Sequence, residues 1–369
     1  MPTPSSPILT ARALNRATLA RQLLLEREKL PLLRAVERLV ALQAQQARPP
    51  YVGLWSRVEG FRREDLTRLL HRRDLVRATL MRGTLHLASA KDYAAMRPAF
   101  SSMLESLAHA ILRERAKGLD IAPLVAAARE YLAEEPHTFE EVRDHLLERH
   151  PKADERAMGF IVRMYLPLVQ VPTEDAAWGF PATTDFALAE SWLGAPPGTE
   201  AELDTLVLRY LAAFGPASVS DVQTWTGLKG LKDVLGPLRP KLLTFRDEKG
   251  RELFDLPKAP RPPEDTPAPV RFLPDFDSLI LGHDDRARLV AEAHRSRLIT
   301  RNLRIPATFL VDGFVTGTWK VARKKSTATL VVEPFEPLSR KTREALAAEG
   351  EGLLRFVEPD AAALDIRFS

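Results

Sequence analysis

The chain contains no cysteine. Disulfides, thiolate zinc sites and iron–sulfur clusters are thereby excluded, and a reducing compartment is suited. It has no apolar run of membrane-spanning length. Its first residues, Met1-Pro2-Thr3-Pro4-Ser5-Ser6, lack the charged and apolar regions of a secretory signal. A cytoplasmic location is therefore expected. What is present suits a water-soluble globular protein: 45% hydrophobic and 28% charged residues. A length of 369 residues exceeds one compact core and predicts roughly two to four domains.

Acidic residues are scarce where basic ones are dense. Residues 1–118 hold 21 Lys and Arg against 10 Asp and Glu, a balance of +11. Residues 119–204 hold 6 against 17, or −11, and residues 205–369 hold 26 against 22, or +4. From Arg286 to Lys325, ten basic residues are opposed only by Glu292 and Asp312. Two basic blocks around an acidic one point to a polyanion held at two ends. The plainer reading is Arg-rich helix faces turned to solvent.

Amphipathic spacing predicts a helix over 10–24, with Leu14, Ala17, Leu19, Leu23 and Leu24 inward and Arg12, Arg16 and Arg21 outward. Helices over 31–43 and 64–70 follow, then strands over 75–80 and 84–88 around the turn Met81-Arg82-Gly83. Three helices closed by a hairpin is the order of a winged helix-turn-helix. It recurs after a long helix near 91–117, with helices over 121–134, 139–149 and 155–166 and strands near 168–172 and 178–182. Thr138 and Glu141 form a capping box there. A third set has helices over 201–214, 219–226 and 229–238 and a hairpin of 242–245 with 252–255. A Pro-rich linker over 257–269 leads to strands over 272–281, 307–311, 314–321 and 327–332. Asp312-Gly313 supplies a two-residue turn, and a helix over 338–349 and a strand around Ile366 end the chain. The expected fold is α+β, mainly α. Three tandem winged helix-turn-helix domains, 8–90, 91–197 and 198–257, precede a linker and small β-rich domain, a partial barrel, over 258–369.

One stretch is at odds with its own periodicity. Pro31 opens the second predicted helix, and Leu32, Leu33, Val36, Leu39 and Val40 give it a buried stripe. Two turns beyond Val36 stands Gln43, a carboxamide where an aliphatic side chain is due. A buried amide needs partners. Gln45 follows, and Pro49-Pro50 are expected to stop the helix. Residues two apart on a regular helix point about 200° apart. For both amides to serve one site, the helix must loosen or end here, or the side chains must wrap towards each other.

Four stretches in order, Gln43-Ala44-Gln45, Met81-Arg82-Gly83-Thr84-Leu85-His86-Leu87, Leu281-Gly282-His283-Asp284-Asp285-Arg286 and Val311-Asp312-Gly313 through Gly317-Thr318-Trp319, resemble the bacterial winged-helix DNA glycosylases of the AlkZ and YcaQ types. The resemblance covers nearly the whole chain. It implies three tandem winged helices, a terminal β domain and an open, concave site between them. It also implies hydrolysis of the N-glycosidic bond of N7-alkylated purines, and in the AlkZ branch the unhooking of interstrand crosslinks. Gln43 and Gln45 match the Gln-apolar-Gln pair of that branch, which makes them the implied catalytic residues. The acidic second member of the YcaQ branch is absent. Many relatives are known only as DNA-binding proteins, so the competing reading is a non-catalytic winged-helix DNA-binding protein or transcription regulator. Tandem winged helices also join protein complexes, but the positive surplus in residues 1–118 speaks against that role.

Amides suit the chemistry on physical grounds. Alkylation at N7 places a positive charge on the purine, so it leaves as a neutral base and needs little acid catalysis. The sugar left behind is oxocarbenium-like and accepts a neutral water. A Gln carbonyl accepts a water proton while its NH2 orients a neighbour, as the water-positioning Gln of GTPases does. With no carboxylate or Lys nucleophile, cationic lesions are the expected substrates and uracil is not. Gln46 reads as structural. Arg82, His86, Arg286, Lys320, Arg323, Lys324 and Lys325 are the expected DNA-binding residues, Arg82 at a hairpin tip. His283-Asp284-Asp285 alternate in direction and make a poor ligand set, so neither a metal nor another cofactor is expected. Asp284 or Asp285 is expected to pair with Arg286 or cap the next helix. Trp55 and Trp319 read as core. The expected partner is double-stranded DNA with alkylated bases, with no membrane and no obligate protein partner, and the chain as a nucleoid-associated monomer.

Overall fold

The computed structural model describes residues 6–151, 153–298 and 305–369. Residues 1–5 of the stretch read for a secretory signal, and residues 299–304 of the basic run, lie outside the described residues. Strand β1 (Ile8–Leu9) leads into helix α1 (Ala11–Arg21), capped by the Thr10 hydroxyl, which accepts from the Ala13 N–H. Of the three arginines expected outward on α1, Arg12 is partly exposed and pairs with Asp312 at 2.8 Å, but Arg16 and Arg21 are not outward. Arg16 and Arg21 are 0% and 2% exposed. Arg16 ends on Asp312 and on the Thr266 carbonyl, and Arg21 pairs with Asp255 at 2.7 Å. Most of helix α1 is buried, because later parts of the chain close around it.

After α2 (Leu32–Leu39) come β2 (Leu42–Gln43), α3 (Arg48–Trp55), α4 (Arg63–His71), β3 (Leu75–Thr79) and β4 (Leu85–Ser89). Pro49 and Pro50 do not end a helix; they sit in the first turn of α3, where a missing N–H costs nothing. Next stand α5 (Ala90–Leu112), α6 (Ile121–Glu134), α7 (Phe139–Arg149), α8 (Glu155–Tyr165), β5 (Leu168–Gln170) and β6 (Phe186–Leu188). The Thr138–Glu141 capping box is formed at α7. The strand expected near 178–182 is found at 186–188 instead. Trp178 and Phe180 are used in packing: Trp178 meets Tyr51 edge-on at 5.2 Å, and Phe180 is buried beside Tyr51 and Leu70. Strand β5 pairs with β3 through Val169 and Ala78, giving one sheet in the order β2-β4-β3-β5-β6.

Helices α9 (Ala189–Leu193), α10 (Leu203–Phe214), α11 (Val219–Thr226) and α12 (Leu231–Leu238) precede the hairpin of β7 (Leu243–Asp247) and β8 (Glu252–Asp255). Strand β1 adds to β7 in parallel, so the chain start completes this three-stranded sheet. The last part holds β9 (Arg271–Leu273), α13 (Ser278–Leu281), α14 (Arg295–Leu298), β10 (Thr308–Val311), β11 (Phe314–Lys324), β12 (Thr327–Pro334), α15 (Arg340–Val357) and β13 (Ala363–Phe368). The strand expected over 272–281 stops at Leu273. Pro274 has no N–H to give a ladder, and the Asp277 carboxylate caps α13 by accepting from the Leu279 N–H at 2.9 Å. The sheet runs β13-β12-β11-β10-β9 and stays open, with no barrel closure. Helix α15 covers one face through Leu346, Leu353, Leu354 and Val357.

Several contacts dock this part of the chain onto the rest. The β10–β11 turn takes Asp312 and Gly313 at φ 47° and 81°, as a primed hairpin turn requires. A side chain at Gly313 would stand 2.5 Å from Leu19 of α1. Arg57, just after α3, makes a buried two-pronged pair with Asp277 at 2.7 and 2.9 Å.

Candidate active site

Gln43 lies on a strand, not on a helix. Helix α2 ends at Val40, whose backbone takes φ 67°, ψ −57°. The Ala41 N–H bonds the Leu39 carbonyl at 2.9 Å, which makes this a γ-turn. A β-branched residue in that conformation is strained, and such strain is often found at functional sites. The turn swings the chain against β4, where Leu42 and Gln43 pair with Leu87 and His86. The Ala44 N–H continues the contact to the Leu85 carbonyl at 2.7 Å.

Both carboxamides then anchor on one hairpin. Arg82 Nη2 donates to Gln43 Oε1 at 2.9 Å, and the Leu85 N–H donates to Gln45 Oε1 at 3.3 Å. Donors without acceptor capacity settle which end is oxygen, and neither NH2 group donates to another described residue. One lone pair of each carbonyl is therefore occupied. Gln43 is buried, at 8% exposure, while Gln45 is exposed. Arg77 fixes the backbone between them: its Nε donates to the Ala44 carbonyl at 2.8 Å and its Nη2 to the Gln45 carbonyl at 3.2 Å.

Arg82 is not a free solvated tip but already has two protein partners. It sits at φ 56°, with Nη1 on the Trp225 carbonyl of α11 and Nη2 on Gln43. Gly83 follows at φ 69°. Burial, with Arg286 adding like charge, lowers the Arg82 pKa to about 10, so it stays protonated at neutral pH. His86 is buried, and its Nδ1 donates to the Thr84 carbonyl at 2.9 Å. Burial first, then the Arg82 charge, lowers its pKa to about 3. The imidazole is thus neutral, with Nε2 left as an acceptor.

The other expected residues divide. Arg286 is half-buried, its Nε donating to the Ile280 carbonyl at 2.9 Å, and it stands within the field of Arg82. Asp285 caps the turn at 286–288 by accepting from the Ala287 N–H at 3.0 Å and also pairs with Lys249 at 2.6 Å. Asp284 uses its N–H on Asp221. His283 is buried, with Nε2 on the Phe214 carbonyl. Lys320 is held by Glu333 at 2.6 Å, and Arg323 by Glu358 at 2.7 Å. Lys324 and Lys325 are exposed at the β11–β12 turn, with no carboxylate within ion-pair distance among the described residues. The structure brings Gln43, Gln45, Arg82 and His86 together with Arg286 nearby, while Lys320 lines the neighbouring cleft and Lys324 and Lys325 stand at the β11–β12 turn. Trp319 is core, as expected, its indole N–H donating to the Leu273 and Thr308 carbonyls.

Sequence reasoning missed Arg77, Arg48 and Asp275. Arg77 had a signal, a charged residue between two apolar neighbours of a buried strand; Asp275 had none. Arg48 and Asp275 line a cleft of about 360 Å³ between the start of α3 and the C-terminal sheet. Asp275 also borders a small recess beside Gln43, Pro49 and Pro50 of about 10 Å³, near the smallest volume that holds one water.

A family model described as DNA glycosylase AlkZ-like matches residues 36–356. An interstrand DNA cross-link repair glycosylase of Streptomyces sahachiroi is 30% identical over 183 residues, 46% of this chain and 48% of that protein. The alignment thus spans about half the length of that relative. The solved structure of Streptomyces sahachiroi DNA glycosylase AlkZ superposes with a TM-score of 0.80 at 22% identity, over 98% of this chain and 100% of that one. The two share a fold. No helix among the described residues is long and apolar enough to cross a membrane.

Proposed function

The chain belongs to the AlkZ-like DNA glycosylase family, and from that premise we propose that it hydrolyses the N-glycosidic bond of N7-alkylated purines in double-stranded DNA. The observation that carries this reading is the shared anchorage of Gln43 and Gln45 on residues 82–85, beside a cleft. The C1′–N9 bond breaks with its electron pair passing to N9, which neutralises the alkylated base. Water oxygen bonds C1′, and one proton passes to solvent. The Gln43 NH2, polarised through its carbonyl by Arg82, donates to the water oxygen or its neighbour. The remaining carbonyl lone pairs of Gln43 and Gln45 accept the water protons. His86, neutral and buried, fits a holding role rather than a proton-transfer role.

Three sets of helices, each followed by paired strands, support the division into winged helix-turn-helix units 8–90, 91–197 and 198–257, with 258–369 as the C-terminal part. The exposed Lys324–Lys325 turn suits DNA phosphates, with Arg286, Lys320 and Arg323 in weaker support because each has a protein partner. The relative's cross-link repair name supports bulky lesions as substrates.

The test is release of 7-methylguanine from methylated duplex DNA. Gln43→Ala combined with Gln45→Ala is expected to slow release about a hundredfold or more while duplex binding persists. Release by wild type but not from a uracil duplex is expected. An unchanged rate in the double variant overturns the water-positioning role. Duplex binding without release by wild type favours a non-catalytic DNA-binding protein.

A further inference from the structure

The cleft between α3 and the C-terminal sheet is lined by Gln46, Arg48, Asp275, Trp319, Lys320 and Glu333. Lys320 and Glu333 neutralise one another at 2.6 Å. That leaves Arg48 and Asp275 as the charged lining residues without an ion pair among the described residues, with Glu358 adding to the field of Asp275 at Arg48. Neither makes an ion pair or a side-chain hydrogen bond with another described residue. They stand close enough for Asp275 to oppose the effect of burial on Arg48, yet they do not meet. Opposite charges on flexible stems ordinarily close up when nothing holds them apart.

Something does hold Asp275. Its neighbour Phe276 sits at φ 57°, a left-handed conformation that costs an aromatic residue energy. The Phe276 N–H bonds the Ile305 carbonyl at 3.2 Å. Asp277, one residue on, is locked by Arg57. Ser278 Oγ then bonds the Ala41 carbonyl at 3.3 Å, tying the segment to the turn that carries Gln43. Asp275 is half-buried on this braced loop, at the boundary between the Gln43 recess and the cleft.

We infer that Asp275 and Arg48 select the lesion, Asp275 facing the positive charge of the alkylated purine and its sugar while Arg48 takes a flanking phosphate. The identity of this ligand rests on the glycosylase reading above. An N7-alkylated nucleotide is positive at the base and negative at the phosphate. An undamaged nucleotide has only the negative charge. A fixed carboxylate attracts the first and repels the second, so the pair reads damage by charge rather than by shape. During bond cleavage, positive charge moves from the purine to the sugar, and a carboxylate already in place stabilises it without reorganisation.

The experiment compares binding to two duplexes that differ in base charge. One carries 7-methylguanine on a 2′-fluoro sugar, cationic and resistant to cleavage. The other carries neutral 7-methyl-7-deazaguanine. Wild type is expected to prefer the cationic duplex about tenfold, as an opposite charge in a half-screened cleft allows. Asp275→Asn, which keeps shape and loses charge, is expected to abolish that preference and to bind undamaged duplex as tightly as wild type or more so. Asp275→Glu should keep part of the preference and also serves should the Asn variant fold poorly. Arg48→Gln should weaken both duplexes alike. Wild type without a preference, or Asp275→Asn that retains it, overturns the inference. A wild type that discriminates but releases no base removes the glycosylase reading and leaves this pair standing.

Discussion

Arg82 changes role between sequence and structure, and the change has a measurable consequence. As a hairpin-tip cation it suits a phosphate. In place it is a brace: one arm of the guanidinium holds the Gln43 carbonyl and the other the Trp225 carbonyl. A phosphate contact adds to the salt dependence of DNA binding, whereas a brace does not. Arg82→Met is therefore expected to slow 7-methylguanine release about a hundredfold, the size of effect a misplaced reacting group produces, and to leave the salt dependence of duplex affinity unchanged. Single-turnover rates and affinities across a salt series check both arms. Arg82→Lys should rescue little, because an ammonium lacks the planar fork that spans two acceptors. A salt slope that drops by about one in the Met variant would return Arg82 to the phosphate.

At the level of elements, the same region shows what sequence periodicity reads and where it stops. Helices with caps and long stripes are legible: α6, α7 and α8 lie where spacing and the Thr138–Glu141 box put them. The γ-turn at Val40 is not, because its residue belongs to the apolar stripe of α2 and gives no local sign of a break. Gln43 was legible as an anomaly, and the fold resolves it by ending the helix one turn early. Strand pairings between distant stretches, such as β3 with β5 or β1 with β7, leave no local trace either. Asp275 escaped for a related reason: its importance lies in a loop braced by three residues distant in the chain, Ile305, Arg57 and Ala41. The β11–β12 turn, by contrast, was legible from composition alone. Lys324 and Lys325 are its exposed cations, whereas Arg323 is already engaged by Glu358. Lys324→Gln with Lys325→Gln is expected to lower the slope of log affinity against log salt by about 1.8, or 0.9 per phosphate contact. The release rate at saturating DNA should stay the same. A salt titration separates the two, and an unaltered slope removes the turn from the DNA interface.

For the molecule as a whole, counting charge overstates the surface that is free to meet DNA. Within the first block, Arg16, Arg21 and Arg57 are buried and paired with Asp312, Asp255 and Asp277, all far along the chain. Part of the +11 surplus thus fastens the first block to the third. That interior also holds two imidazoles against protonation. His86 is lowered to about 3 by burial and by Arg82. His283 is lowered by burial and by Arg288, with the Asp221 carboxylate opposing. In the unfolded chain both titrate near 6.5. Above that pH both states are neutral and the contribution is constant. Below it, the unfolded chain binds protons that the folded one refuses, so stability falls as pH falls. The slope approaches about 1.4 kcal/mol per pH unit for each imidazole well below 6.5. Urea midpoints are therefore expected to drop progressively from pH 7 to pH 5. Replacing His86 by Gln should flatten that drop by up to one proton's worth, whatever it does to stability at pH 7, because a residue without a titrating ring takes up no proton on unfolding. An unchanged slope in His86→Gln would mean that the imidazole is already protonated in the native state, and with it the neutral setting of the Gln43 hairpin would be lost.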